Sequence, residues 1–150
     1  MRELPRLVRE YPEPIRCVIT SPPYLDVTSF EEDQWLRLWF LGAPPHPIYR
    51  VVSKDDRHER PDKYWDFMSD LWRVLGQVLA KNANVVVRIG GKNFDAEETG
   101  RKLMATSVFS RRKAKLVSSE VSEIQRRQTD SFRPGSRGCV HEADFHFRLQ

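Results

Sequence analysis

Ser21, Pro22, Pro23 and Tyr24 stand together in the stretch VITSPPYLD, and their types suit the handling of a planar group that bears an exocyclic amine. The Ser21 hydroxyl and the backbone carbonyls of the turn can accept hydrogen bonds from such an amine, while Tyr24 offers an aromatic face. Each proline fixes its own φ and biases the residue before it toward extended geometry, so the tetrapeptide is stiff. The residues before it, Ile15 to Ile19, form a short and mostly apolar run rich in β-branched side chains, which predicts a buried parallel strand. Prolines cannot donate to a strand ladder, so that strand ends at Pro22. Open α/β sheets place ligands at the carboxyl ends of their strands, where this turn falls. The competing explanation is that Pro-Pro only terminates a strand.

Ser-Pro-Pro-Tyr resembles motif IV of the amino-methyltransferases that methylate exocyclic nitrogens of DNA bases from S-adenosylmethionine. The resemblance implies that Ser21 and the carbonyl of Pro22 accept from the target amine, that Pro23 stiffens the turn, and that Tyr24 stacks on a flipped base. An amine conjugated to a ring is a poor nucleophile, and two acceptors on its hydrogens favour an sp³-like nitrogen with an available lone pair. Such catalysis is positioning and electrostatic stabilisation, without a covalent enzyme intermediate. The Ser form of the motif leans toward cytosine N4, with adenine N6 as the near alternative.

The elements that must position the turn follow in order. Residues 1 to 14 are proline-interrupted and read as an irregular lead-in. Ser29-x-x-Glu32 is a capping box with Glu31, Glu32 and Asp33 in the first helical turn, where the dipole favours anions. The helix behind it is rich in large apolar groups from Trp35 to Leu41, for which core or interface packing is a commoner explanation than a base pocket. Residues 44 to 61 form a long loop containing His46 and His58, both read as surface residues. Asp62 to Ala80 has helical spacing of Tyr64, Phe67, Met68, Leu71, Leu75, Val78 and Leu79. Asn84 to Ile89 reads as a second buried strand that Gly90-Gly91 ends with a tight turn. Asp95-x-x-Glu98 opens a helix to about Phe109. Ala114 to Ser119 is a third strand and Gly138 to Leu149 a fourth. In the fourth, Ala143, Phe145 and Phe147 face one way and Glu142, Asp144, His146 and Arg148 the other, which marks a half-exposed antiparallel strand.

This order resembles the second half of the methyltransferase fold, from its fourth strand to the closing antiparallel pair. The expected fold class is therefore α/β, a partial Rossmann-like S-adenosylmethionine-dependent methyltransferase fold whose mixed sheet carries flanking helices, in a single partial catalytic domain over residues 1–150. The family's Gly-rich cofactor loop and the acidic residue that binds the ribose are not visible, and 14 residues before the motif strand are too few for three βα units. Hence the reading is a catalytic half without a cofactor half: a fragment, a split gene product, or a chain that pairs with one carrying the cofactor-binding half. No cofactor residue is assigned.

Composition bounds the partners. The 150 residues are 39% hydrophobic and 11% aromatic, which suits a folded domain, and the net charge is +4. Residues 1–100 hold 14 Lys+Arg against 16 Asp+Glu, and residues 101–150 hold 11 against 5. Positive charge thus gathers in the last third, as a phosphate-binding surface requires, although a solvated basic face has the same composition. There the resemblance places a loop reaching toward DNA, with Arg126, Arg127, Phe132, Arg133 and Arg137 as its contacts. No apolar run is long enough for a membrane span and the start is unlike a signal peptide, so a cytoplasmic location is expected. Cys17 and Cys139 read as reduced thiols packed inside strands, and no metal site is expected. Beside the DNA methyltransferase reading stands a second one, a nucleic-acid-binding module derived from a methyltransferase half and lacking catalysis.

Overall fold

In a computed structural model, which describes residues 13–25, 30–46, 61–91, 94–124 and 139–150, four strands form one mixed sheet. Strand β1 is Ile15–Thr20, β2 Leu79–Gly91, β3 Ala114–Glu123 and β4 His141–Leu149; helix α1 is Phe30–Phe40, α2 Pro61–Val78 and α3 Ala96–Thr106, with a 3-10 turn at Ser107–Ser110. The sheet order is β1-β2-β4-β3. β1 and β2 are parallel, and β4 runs antiparallel to both of its neighbours. The expected mixed α/β sheet with flanking helices is therefore present, with its closing antiparallel pair.

One face of the sheet carries the core. The crossovers from β1 to β2 and from β2 to β3 step across the sheet in the same direction, and right-handed connections then lay their helices on the same side. α2 and α3 accordingly share one cluster with Val85, Val87, Ile89, Ala143, Phe145, Phe147 and Leu149. Proline at the first position of α2 suits a helix start, where its missing N–H costs no bond. Trp72, which the apolar stripe of α2 also contains, is the largest fully buried side chain and meets the Phe147 ring edge-on at 5.1 Å. Burying one such aromatic contributes several kcal/mol, about 3–5 by the cost of truncation to alanine. Gly76 lets α2 approach the 3-10 turn, because a Cβ there would fall on the Ser110 carbonyl.

The opposite face of the sheet is polar, with Arg88, Asp144 and Arg148 exposed or half-exposed. This corrects the expectation that β1 and β2 are buried on both faces. Val86 is only half-buried, and Ile19, its partner across the ladder, is 78% exposed. α1 departs from the packing expectation in the same way: Trp39, Phe40 and Leu41 are exposed and lie outside the core cluster. The capping box of α1 lies outside the described residues.

Several element boundaries also differ. α2 stops at Val78, and Leu79 and Ala80 already belong to β2. Leu79 pairs with Ile15, and the Arg112 guanidinium donates to the carbonyls of Leu79 and Ala80, so these groups have partners that a continuing helix could not give them. The pairing then skips to Cys17 with Asn84 through a bulge that contains Asn82 at φ 60°. α3 begins as expected, with Asp95 capping the N–H of Glu98 at 2.9 Å. It gives way to the 3-10 turn at Ser107, short of Phe109. β3 runs on to Glu123, and β4 begins at His141.

Candidate active site

The Ser-Pro-Pro-Tyr turn leaves the carboxyl end of β1 beside the carboxyl end of β2. Because β4 is antiparallel, its first residues arrive at the same end, with His141 opposite Gly91 and Glu142 opposite Gly90. The last residue of β3, Glu123, is opposite His141, and the Ile124 N–H donates to the Val140 carbonyl at 2.9 Å. Both anchors of residues 125–138 are therefore at the end of the sheet where the turn sits. Arg126, Arg127, Phe132, Arg133 and Arg137 lie outside the described residues.

Within the turn, Pro22 is buried, Ser21 and Pro23 are exposed and Tyr24 is half-buried. The Tyr24 phenol donates to Glu142 Oε2 at 2.7 Å, and the Ser21 hydroxyl lies 3.5 Å from the phenol oxygen. Glu142 Oε1 is 3.4 Å from Arg88 Nη1. Arg88 in turn donates through Nε and Nη2 to the two oxygens of Asp144 at 2.7 and 2.6 Å, the fork geometry that makes Arg–carboxylate pairs directional. A continuous polar chain thus runs from Ser21 through Tyr24, Glu142 and Arg88 to Asp144.

Electrostatics follow this chain. Burial is the main cause that pushes the Tyr24 phenol up to about 12; the Glu142 carboxylate adds to it and the Ser21 hydrogen bond opposes it. The Arg88 hydrogen bond holds the Asp144 carboxyl below its usual range, and the same pairing raises Arg88. Tyr64, in the first turn of α2, is pushed up mainly by burial, with a smaller contribution from the charge of an ionised Tyr24.

The glycine pair has a more definite role than the expected tight turn. Gly90 lies within β2, where a Cβ would come within 2.5 Å of Cys139 Sγ, 2.8 Å of the His141 oxygen and 3.0 Å of Tyr24 Cε2. The space at Gly90 is filled by the chain itself, so this glycine is no cradle for a ligand. Cys139 is buried with its thiol 3.0 Å from the His141 oxygen, just ahead of β4, whereas Cys17 is exposed on β1, which corrects its reading as a packed thiol. Among the described residues no group of His, Cys, Asp or Glu could hold a metal ion, and none of the helices there is long and apolar enough to cross a membrane.

The sequence reading missed Glu142, Arg88, Asp144 and Gly90 as site residues. Alternation in β4 did assign Glu142 and Asp144 to its polar face; what one sequence lacks is the register that sets Glu142 beside Gly90. S-adenosylmethionine, the cofactor implied by the resemblance, finds no fit among the described residues. The space at Gly90 is filled, Gly91 is a single glycine at the strand end rather than a Gly-rich loop, and among the described residues no acidic side chain ends a further parallel strand on the open side of β1.

No protein-family model matches the chain, and no curated protein matches it. Among solved structures it is similar to SMU.776, a protein assigned as a methyltransferase and crystallised with SAH, at 10% identity and TM-score 0.49, covering 99% of this chain and 30% of that one. A protein assigned as a SAM-dependent methyltransferase from Streptococcus mutans gives 13% identity and TM-score 0.46, over 98% of this chain and 28% of the other. A protein assigned as a DNA modification methylase from Thermus thermophilus gives 10% and 0.48, over 98% and 50%. The chain spans half or less of the length of these structures.

Proposed function

We propose that this chain is the catalytic portion of a DNA amino-methyltransferase that presents an exocyclic base amine, cytosine N4 in preference to adenine N6, for methylation by S-adenosylmethionine. The observation that carries the reading is the placing of Ser21 and Tyr24 at the carboxyl end of a parallel strand, with the Tyr24 phenol held by Glu142 at 2.7 Å and the Ser21 hydroxyl 3.5 Å from that phenol. In this reading Ser21 Oγ and the Pro22 carbonyl accept from the amine, Pro22 and Pro23 keep those acceptors fixed, and the Tyr24 ring stacks on the base. Arg126, Arg127, Phe132, Arg133 and Arg137 contact DNA from the segment anchored between β3 and β4.

The cofactor, when bound, supplies an electrophilic methyl group. In our proposal a chain carrying the cofactor-binding half holds it, pairing with β1. The contrast between the two outer strands supports this. β3 bears Lys115, Glu120 and Glu123, the charges with which edges avoid pairing, whereas β1 has Arg16 alone among apolar and small residues and an exposed Ile19.

The test is transfer of labelled methyl from S-adenosylmethionine to DNA by the assembly that co-purifies with the full chain, followed by separation of the nucleosides. N4-methyldeoxycytidine is expected, and Ser21→Ala should lower its formation more than it lowers DNA affinity. DNA affinity itself should fall steeply with salt, and neutralising Arg126, Arg127, Arg133 and Arg137 together should flatten the slope by up to about four phosphate contacts. Salt-dependent DNA binding without any methylated nucleoside would favour the non-catalytic binding module.

A further inference from the structure

We propose that Glu142 sets the hydrogen-bond polarity of Ser21 through Tyr24, so that the turn accepts an amino-bearing heterocycle and rejects the keto-bearing counterpart. The inference rests on the base-site reading above and adds to it a positioning residue 118 positions along the chain from Tyr24.

Each hydroxyl has a single proton to donate. The one on Tyr24 goes to Glu142 Oε2 at 2.7 Å. Glu142 cannot turn away freely, because its second oxygen faces Arg88 and Arg88 is forked onto Asp144. In this proposal the Tyr24 oxygen turns lone pairs toward Ser21, whose hydroxyl lies 3.5 Å away and directs its proton at them. Ser21 then presents lone pairs outward. Beside it, the carbonyl of Pro22 is an acceptor, and Pro23 has no N–H to donate. A ligand that brings N–H donors is satisfied at this place. A keto oxygen would meet acceptors alone, and an acceptor buried without a donor is penalised.

The Glu142→Gln variant sharpens the inference, since it keeps the size of the side chain and alters its protons. Arg88 retains the amide oxygen, which turns the amide nitrogen toward Tyr24. The Tyr24 oxygen now accepts, its own proton swings to Ser21, and the Ser21 proton points outward. The preference should therefore shift toward keto bases. Tyr24→Phe keeps the ring for stacking and releases Ser21 from any set direction.

The experiment measures binding of the full chain to oligo(dC) against oligo(dU), and to oligo(dA) against oligo(dI), by fluorescence anisotropy at one fixed salt concentration. The parent should favour the amino member of each pair by about three- to tenfold, the cost of one unmet acceptor reduced because Ser21 is exposed and water can reach it. Tyr24→Phe and Ser21→Ala should bring the ratio to within twofold of unity, and Glu142→Gln should bring it to unity or beyond, toward the keto member. A ratio that collapses in Ser21→Ala but persists in both Tyr24→Phe and Glu142→Gln overturns the relay and leaves the base site standing. A parent that binds both members equally, or neither, overturns the base-site reading and the relay with it. Circular dichroism of each variant guards against loss of fold, and a variant that unfolds is replaced by Arg88→Met, which frees Glu142 from its anchor and should lower the ratio; an unchanged ratio there overturns the relay.

Discussion

Gly90 and Tyr24 touch at the limit of what backbone and ring allow: a Cβ on Gly90 would lie 3.0 Å from Tyr24 Cε2 and nearer still to Cys139 Sγ and the His141 oxygen. Three segments far apart in sequence thus converge on one hydrogen-sized side chain. The turn after β1 keeps its place because β2 has a glycine opposite it and β4 begins beside it. Substitution here cannot be absorbed by a flexible side chain alone, since the His141 oxygen is backbone. Gly90→Ala should therefore destabilise the protein by about 1–3 kcal/mol, the usual cost of overpacking, and should displace Tyr24 from Glu142. Urea denaturation gives the first quantity. An unchanged midpoint would mean that the start of β4 moves aside readily and that Gly90 does not hold the turn.

The Tyr24 phenol supplies a prediction on the alkaline side. Its pKa is about 12 in the folded protein against 10.0 for a free tyrosine. Between those values the unfolded chain has released a proton that the folded chain retains, so stability intact below pH 10 should fall as pH rises toward 12. Tyr24→Phe should reduce that slope, with a remainder from Tyr64, which burial also raises. In Glu142→Gln the phenol should titrate lower than in the parent but remain above 10.0, because burial is the larger cause and persists. Ring-carbon NMR on labelled tyrosine reads this directly, and an unshifted Tyr24 titration in Glu142→Gln would detach Glu142 from the phenol.

How far these relationships were legible in the sequence depends on their range. Local signals carried well. The prolines did end β1, Asp95 does cap the N–H of Glu98, and the alternation of Ala143, Phe145 and Phe147 with Asp144 and His146 did mark an antiparallel strand with one buried face. The Val85 to Val87 run misled because three β-branched residues in a row look the same whether one face or two are covered. Which of them is covered follows from the side on which α2 and α3 lie, a property of the crossovers. Leu79 misled for another reason: it continues the apolar stripe of α2, yet its pairing with Ile15 and its bond from Arg112 draw it into the sheet. The link from Tyr24 to Glu142 lay beyond reach because it needs the register of β4 on β2.

Arg112 fastens the end of the sheet opposite the site. Its guanidinium donates to the carbonyls of Leu79, Ala80, Leu149 and Gln150, at 2.7, 2.8, 3.2 and 3.3 Å. No other side chain offers five donors in one plane, so lysine cannot replace all four bonds. Arg112→Ala should cost about 1–3 kcal/mol, discounted for carbonyls that water can reach, and Arg112→Lys should recover less than half of the loss. Chemical denaturation of the three proteins decides it. Equal stability of the lysine variant and the parent would show that only charge matters at this position.

The last prediction concerns β1. Among the described residues it pairs on one side only, with β2, and its Ile19 is 78% exposed on the sheet face that carries no helix. An apolar edge of this kind is a template for another strand, whereas the charges of β3 protect the other edge. The 150-residue chain on its own should therefore self-associate as its concentration rises, and should bind S-adenosylmethionine weakly or not at all. Ile19→Lys places a charge on the open edge and should shift association to at least severalfold higher concentration without altering the core, because Ile19 makes no part of it. Sedimentation velocity over a concentration series measures the first effect, and calorimetry with S-adenosylmethionine the second. A stable monomer that binds the cofactor tightly at one-to-one stoichiometry would contradict both, and would locate the cofactor-binding half within this chain rather than in a partner that pairs with β1.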